Sequence, residues 1–63
     1  MMKLNKTLQA YKDANGCGTI YGQKEKDRIS NFKDVERVVE ENDYLTFILK
    51  DGTEIGAFYR DFD

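Results

Sequence analysis

The side chains of this sequence that could take part in chemistry are one cysteine and a few groups of carboxylates. Cys17 stands between two glycines, and a cysteine nucleophile usually needs a neighbouring base to form its thiolate. The 63 residues include no histidine to act as that base. We therefore interpret Cys17 as a small, half-buried and inert thiol. The absence of histidine, together with a single cysteine, also excludes the usual zinc sites.

Carboxylates cluster at Glu40, Glu41 and Asp43 and again at Asp61 and Asp63. Paired carboxylates can exchange protons with a substrate or bind magnesium or calcium. However, the calcium-loop pattern D-x-[DN]-x-[DN]-G is absent, and so short a chain has little room for a closed pocket. We interpret these carboxylates as solvated charges. The sequence predicts no cofactor and no metal, and it predicts that the protein is not an enzyme.

Three glycines at positions 16, 18 and 22 resemble a dinucleotide-binding loop only superficially. That fingerprint needs the spacing G-x-G-x-x-G between a strand and a helix. Here the last spacing is one residue too long, and a helix is predicted before the glycines. We expect them to serve turns and close packing.

The chain length predicts a single small domain, residues 1–63, with a thin core. A domain of this size buries only about 60% of its unfolded surface. One cysteine cannot form an internal disulfide, so self-association is the remaining common source of stability, and we expect a homodimer. No apolar run is long enough to cross a membrane, and no signal peptide is recognisable at the start. Together with the unpaired cysteine, these features predict a cytoplasmic protein.

Charge is distributed unevenly along the chain. Residues 1–33 contain seven basic and three acidic side chains, whereas residues 34–63 contain nine acidic and three basic ones. The two halves therefore carry +4 and −6. This asymmetry is the strongest compositional signal for an interaction with another molecule.

The clearest structural pattern is a β-hairpin over residues 44–59. Two segments rich in aromatic and β-branched residues flank Asp51 and Gly52, a pair suited to a two-residue type I′ turn. Such a turn would place Tyr44 opposite Tyr59 and Ile48 opposite Ile55. One face would then carry Leu45, Phe47, Leu49 and Phe58, and the other Tyr44, Ile48, Ile55, Ala57 and Tyr59.

An amphipathic helix is predicted before the hairpin, over residues 3–14. Leu4, Leu8 and Tyr11 recur at helical spacing, and Asn15 followed by Gly16 is a typical helix stop. So short a helix is stable only when it packs on something else. We expect it to pack on one face of the hairpin.

The segment between helix and hairpin is harder to interpret. Residues 19–21 fit a short strand or a loop, residues 23–28 an exposed turn, and residues 28–32 another short strand. Residues 33–42 fit either a strand or a helix, and their three valines favour the strand. The predicted fold class is α+β: an N-terminal helix packed on a small antiparallel meander of three to five strands that ends in the hairpin at 44–59. A five-stranded version could curl into an SH3-like barrel.

The acidic half predicts a protein-interaction module. Carboxylates spaced along a sheet can steer association with a basic partner, as in small acidic inhibitors encoded by phages and other mobile elements. The hypothesis is therefore an inhibitor or regulator that binds a host protein. The residues predicted to form its binding face are Glu40, Glu41, Asp43, Tyr44, Ile48, Ile55, Tyr59 and Asp61.

The basic half supports a second hypothesis, a small barrel that binds single-stranded nucleic acid. Lysines interleaved with rings can bind phosphates and stack on bases. The sequence pI near 5.0 argues against it, since nucleic-acid-binding domains are usually basic. The residues concerned are Lys3, Lys6, Lys12, Lys24, Lys26, Arg28 and Lys33, with the rings of Tyr11, Tyr21 and Phe32.

Overall fold

Two helices and four strands follow one another along residues 4–61, which are the residues that the computed structural model describes. The predicted α+β class, with an N-terminal helix and a hairpin late in the chain, is confirmed. In chain order the elements are α1 (Lys6–Asp13), β1 (Thr19–Tyr21), α2 (Gln23–Ser30), β2 (Val35–Glu41), β3 (Tyr44–Leu49) and β4 (Glu54–Arg60).

The four strands form one open, mixed sheet in the order β1-β4-β3-β2. Strands β2, β3 and β4 are an antiparallel meander, as predicted, while β1 pairs with β4 in parallel. The sheet therefore differs from a purely antiparallel one, and it does not close into a barrel. Strands β1 and β2 lie at opposite edges and run in the same direction, so the chain between them must cross the sheet.

Helix α2 makes that crossing, and its position contradicts the prediction for this segment. Residues 23–28 are not an exposed turn, and residues 28–32 are not a strand. Lys, Glu, Gln and Arg are good helix formers, and contacts along the helix add support: Gln23 bonds Asp27 at 2.9 Å, and Arg28 bonds Glu25 at 2.7 Å. Ile29 is the only buried residue of the helix, so its sequence lacks the apolar periodicity that identifies amphipathic helices.

Helix α1 forms as predicted, although it begins later. The side chain of Asn5 accepts a hydrogen bond from the Thr7 N–H at 2.8 Å and caps the first turn. Leu8 is fully buried. After the helix, Asn15 and Gly16 both have positive φ, 55° and 85°, which confirms the predicted stop.

Strand β2 confirms the strand interpretation of residues 33–42, and β1 confirms the strand alternative for residues 19–21. The pairing of β2 with β3 shifts between Val35 and Arg37, which places a bulge at Glu36. Beyond the bulge, the pairing is regular as far as Glu41 opposite Tyr44.

The hairpin of β3 and β4 forms, but its predicted register is wrong by one residue. The Leu49 N–H donates to the Thr53 carbonyl at 2.8 Å, and the Gly52 N–H donates to the Leu49 carbonyl at 3.0 Å. The loop therefore has three residues, and of these Gly52 alone has a positive φ, 93°. This geometry fits a turn followed by a glycine bulge rather than a type I′ turn.

A shift of one residue moves every side chain of a strand to the other face of the sheet. Tyr44 consequently pairs with Phe58 instead of Tyr59. Ile55, Ala57 and Tyr59 belong to the core, and Phe58 points away from it.

The core lies between the two helices and one face of the sheet. Leu8 of α1 and Ile29 of α2 belong to the same buried cluster as the inward side chains of all four strands, so both helices cover that face. The buried residues are Leu8, Ile20, Ile29, Val35, Leu45, Phe47, Leu49, Ile55, Ala57 and Tyr59.

Candidate functional site

Among residues 4–61, both helices contribute their buried residues to the core on the first face of the sheet, and the second face is bordered only by the end of α1 and the turn after it. Strand pairing places Tyr44 beside Phe58 and Thr46 beside Gly56, while Val39 of β2 lies beside Thr46. We call this surface the open face. Its apolar and aromatic members are Tyr21, Val39, Tyr44, Ile48 and Phe58, and its charged members are Arg37, Glu41, Glu54 and Arg60.

Within residues 4–61, the large hydrophobic side chains that are most exposed all lie on the open face. Tyr21 is 59% exposed, Phe58 47% and Val39 41%. They belong to three different strands, β1, β4 and β2, so the exposed apolar area extends across the sheet. Clustered exposure of this kind commonly marks an interaction surface.

Tyr44 makes an aromatic contact with Phe58 on the open face. Its ring meets the ring of Phe58 edge to face, with centroids 5.2 Å apart and planes at 82°. The same ring extends over Gly56, where a Cβ atom would come within 2.6 Å of the Tyr44 Cζ. Its hydroxyl also approaches Gly16, in the turn that follows α1. Two glycines thus make room for this ring.

Phe58 stands between two shallow depressions at one end of the open face. One has a volume of about 480 Å³ and is lined by residues of the β2–β3 turn and by Tyr44. The other is lined by Tyr59, Arg60 and Asp61. Asp43 and Phe58 border both depressions. An apolar ring with carboxylates around it is therefore accessible from two sides.

Five of the eight predicted binding residues border the open face. Tyr44 and Ile48 lie on it, Glu41 lies at its edge, and Asp43 and Asp61 flank Phe58. Of the remaining three, Ile55 is buried in the core and Glu40 faces the helices. Tyr59 also belongs to the core, although it lines the second depression beside Phe58.

Glu40 forms a salt bridge with Lys26 of α2. Its Oε1 atom lies 2.7 Å from the Lys26 Nζ, which also lies 5.2 Å from the centre of the Tyr59 ring. The hydrogen bond to Glu40 raises the pKa of Lys26, and the ammonium charge is retained at neutral pH. Glu40 thus neutralises a helix charge and adds nothing to the open face.

Three apolar or aromatic residues of the open face are not among the predicted protein-binding residues: Phe58, Val39 and Tyr21. The predicted two-residue turn places Phe58 on the same face as Leu45 and Phe47, and the three-residue loop moves it to the opposite face. Val39 was noted only as part of a strand. Tyr21 would have been identified if β1 had been placed beside β4, a parallel pairing that no local sequence pattern indicates.

The basic residues of the second hypothesis lie near two of its rings: Arg28 lies over the Phe32 ring, 5.4 Å from its centre, and Lys12 lines the same depression as Tyr11. Two of these cations are already paired with carboxylates. Lys26 is paired with Glu40, and Arg28 with Glu25, whose pKa is lowered chiefly by that hydrogen bond. Tyr11 and Phe32 pack against the core from the helix side. Lys3 lies outside the described residues, as does Asp63.

The other residues considered for chemistry are Cys17, the glycines that follow α1 and the carboxylates. Cys17 is an exposed thiol, so the prediction that it is half-buried is wrong. A Cβ at Gly18 would lie 2.7 Å from the Tyr11 ring, which fits the prediction of glycines for close packing. Within residues 4–61, no three cysteine, aspartate or glutamate side chains are grouped so that they could hold a metal ion. Neither helix of this part of the chain is long and apolar enough to cross a membrane.

Comparisons with protein-family models, with curated proteins and with solved structures found no match. The function is therefore inferred from the geometry of the open face.

Proposed function

We propose that this protein is a non-enzymatic interaction module that binds a protein partner through the open face of its sheet. One observation carries the proposal: Tyr21, Val39 and Phe58, the most exposed large hydrophobic side chains of residues 4–61, lie on the face that neither helix covers. A partner that covered these side chains would remove a large apolar area from water. The lack of a histidine that could activate Cys17 supports a non-enzymatic role.

The charges around the open face favour a particular kind of partner. Glu41, Asp43 and Asp61 surround Phe58, and Arg60 is the one basic residue lining those two depressions. Interfaces commonly combine an apolar centre with a charged rim, and rim charges steer association. The complementary surface has an apolar anchor bordered by lysine or arginine. Nucleic-acid-binding proteins carry such basic surfaces, so the module fits an inhibitor or regulator of one of them.

A second candidate function is favoured by the rings themselves. Exposed aromatic side chains on a sheet can stack on the bases of single-stranded nucleic acid, and Tyr21 lies beside Arg60 on the open face. The carboxylates around Phe58 would repel phosphates, however, and the net charge is −2. We therefore favour the protein partner.

Affinity capture with three baits tests the proposal. The baits are the wild-type protein, Phe58→Asp on the open face, and Ala10→Asp on an exposed position of α1. Both substitutions add one carboxylate, so nonspecific charge effects are matched. We expect mass spectrometry to find a protein bound by the wild type and by Ala10→Asp but lost with Phe58→Asp.

Two results would contradict the proposal. Equal capture of the same proteins by all three baits would exclude the open face as the binding surface. Binding of a fluorescent single-stranded oligonucleotide that weakens steeply with salt and is lost with Phe58→Asp would favour the second function.

A further inference from the structure

Strand β2 lies at an edge of the sheet, and the outer side of its backbone does not pair with another strand of residues 4–61. Within residues 4–61 it pairs only with β3, and no backbone hydrogen bond leaves residues 36–41 on the other side. The bulge at Glu36 and the turn at Asn42 limit its regular part to residues 37–41. An unpaired edge of this kind is a template for a further strand.

We infer that β2 pairs with β2 of a second copy of this chain, antiparallel and centred on Val39. A two-fold axis through the sheet leaves the same face outward in both copies. Residues that lie directly opposite each other then project their side chains to the same face. Because side chains alternate between the two faces along a strand, the two paired residues must be an even number of positions apart. The two-fold axis must therefore pass beside one residue and not between two.

Charge selects the residue on the axis. A pairing centred on Val38 would place Glu36 opposite Glu40 of the second copy, and one centred on Glu40 would oppose that glutamate to itself. A pairing centred on Arg37 would oppose two arginines. Like charges directly opposite each other are destabilising in antiparallel sheets.

The register centred on Val39 avoids every such conflict. Arg37 then lies opposite Glu41 of the second copy, and the two-fold axis creates this pair twice. Val39 meets its own copy, which covers part of a side chain that is 41% exposed in the single chain. Val38 meets Glu40, whose charge Lys26 already neutralises.

The two charged residues are available for this contact. Arg37 and Glu41 are both exposed, and neither forms a salt bridge among residues 4–61. Both project to the open face, since Arg37 is paired with Ile48 and Glu41 with Tyr44. The dimer would therefore have one eight-stranded sheet, in which the open faces of the two copies form one continuous surface. The pairing of the strands does not depend on the proposed function.

Sedimentation equilibrium of the wild type and four charge variants tests the register. Five paired residues per chain bury less than a standard interface of about 1,600 Å², so concentrations up to about 1 mM are needed. We expect Arg37→Glu and Glu41→Arg each to weaken the dimer about tenfold, because each creates two like-charge pairs. The double variant, with both charges exchanged, should restore wild-type association. Glu36→Arg, at the bulge outside the paired segment, should leave it unchanged.

Crosslinking tests independently whether the two copies pair with Val39 at the centre. In a Cys17→Ser background, Val39→Cys should form covalent dimers with a short bismaleimide, whereas Lys24→Cys on α2 should not. Circular dichroism of each variant verifies that the fold is retained. A wild-type mass of one chain at all concentrations would overturn the inference. Association that both single charge variants leave unchanged, or equal crosslinking at positions 24 and 39, would also overturn it.

Discussion

The ring of Tyr44 lies directly over Gly56, across the pair of strands β3 and β4. A Cβ atom at position 56 would overlap the Tyr44 hydroxyl and lie 2.8 Å from its Cε2. Aromatic side chains often cover a glycine on a neighbouring strand in this way. Here the contact also holds the ring edge-on to Phe58, 5.2 Å between centroids. Gly56 therefore determines the shape of the open face.

The first prediction concerns Gly56→Ala. The new methyl group displaces the far end of a side chain that is only half-buried, so the ring can swing away. We expect the protein to fold with a loss of about 1 kcal/mol, the size of one aromatic contact. Nuclear Overhauser effects between Tyr44 and Phe58 should disappear. Binding of the captured partner should fall further than the loss of stability explains.

Tyr44→Leu is the matched variant, since it removes the ring and leaves Gly56 in place. The two variants should weaken partner binding to a similar extent. If Gly56→Ala keeps the contact between the rings, the ring does not depend on the glycine and the account is wrong.

The second prediction concerns the turn at Gly52. Its φ of 93° is unfavourable for residues with a Cβ, while no atom lies within 4 Å of the Cβ position. Any cost of substitution is therefore conformational and not steric. Gly52→Val should lower the free energy of unfolding by more than about 1 kcal/mol in urea titrations. Gly52→Asn should cost less, because asparagine tolerates positive φ. Equal stability of the valine variant and the wild type would contradict the positive-φ turn.

Local sequence patterns predicted α1, the hairpin and the strand character of β2, because each depends on residues that are close in the chain. The hairpin register was not predictable in the same way. Asp51 and Gly52 suit a two-residue turn, and the three-residue loop is favoured because it buries Ile55 and Tyr59. That gain depends on helices that lie far away in sequence. Packing decided between two turns that the local residues allow almost equally.

Local sequence patterns were also insufficient to predict the second helix and the open face. α2 is almost entirely polar, so helix propensity and side-chain pairs such as Glu25 with Arg28 were the only local signals. A prediction weighted toward propensity would have found it. The exposure of Tyr21 depends on the parallel pairing of β1 with β4, which joins residues about forty positions apart.

The third prediction uses the acid dependence of stability. Hydrogen bonds from Thr53, chiefly from its backbone N–H, lower the pKa of the Asp51 carboxyl below its ordinary value of 3.8. The unfolded chain then binds this proton more readily than the folded protein, so stability rises with pH. The contribution is complete above the ordinary pKa and is lost as the pH falls through the lowered one.

Asp51→Asn isolates this effect, because the amide oxygen can still accept the hydrogen bond but does not titrate. At neutral pH we expect the wild type to be the more stable of the two in urea. The difference should shrink as the pH falls from about 5 to about 2. A difference that is constant over this range would show that the Thr53 hydrogen bond does not depend on the carboxylate charge.

The fourth prediction concerns the rate of association with the captured partner. If the carboxylates around Phe58 steer a basic surface, Asp43→Lys with Asp61→Lys should slow association at low salt and leave the fold intact. Asp13→Lys with Glu36→Lys reverses two exposed charges that do not line the depressions around Phe58 and provides the control. Stopped-flow rates that are equal for the two double variants would exclude steering by the open face.

The fifth prediction separates the two registers of the hairpin through its isoleucines. Ile55 is 2% exposed and belongs to the core, whereas Ile48 is half-buried on the open face. Ile55→Ala should lower the free energy of unfolding by about 2–5 kcal/mol, the usual cost of emptying a core site. Ile48→Ala should cost less than about 1 kcal/mol. Aspartate sharpens the contrast: Ile55→Asp should prevent folding, since it buries an unpaired charge, while Ile48→Asp should fold. Similar losses for both alanine variants, measured by urea unfolding, would contradict the three-residue loop and favour the two-residue turn, which places Ile48 opposite Ile55 on the same face.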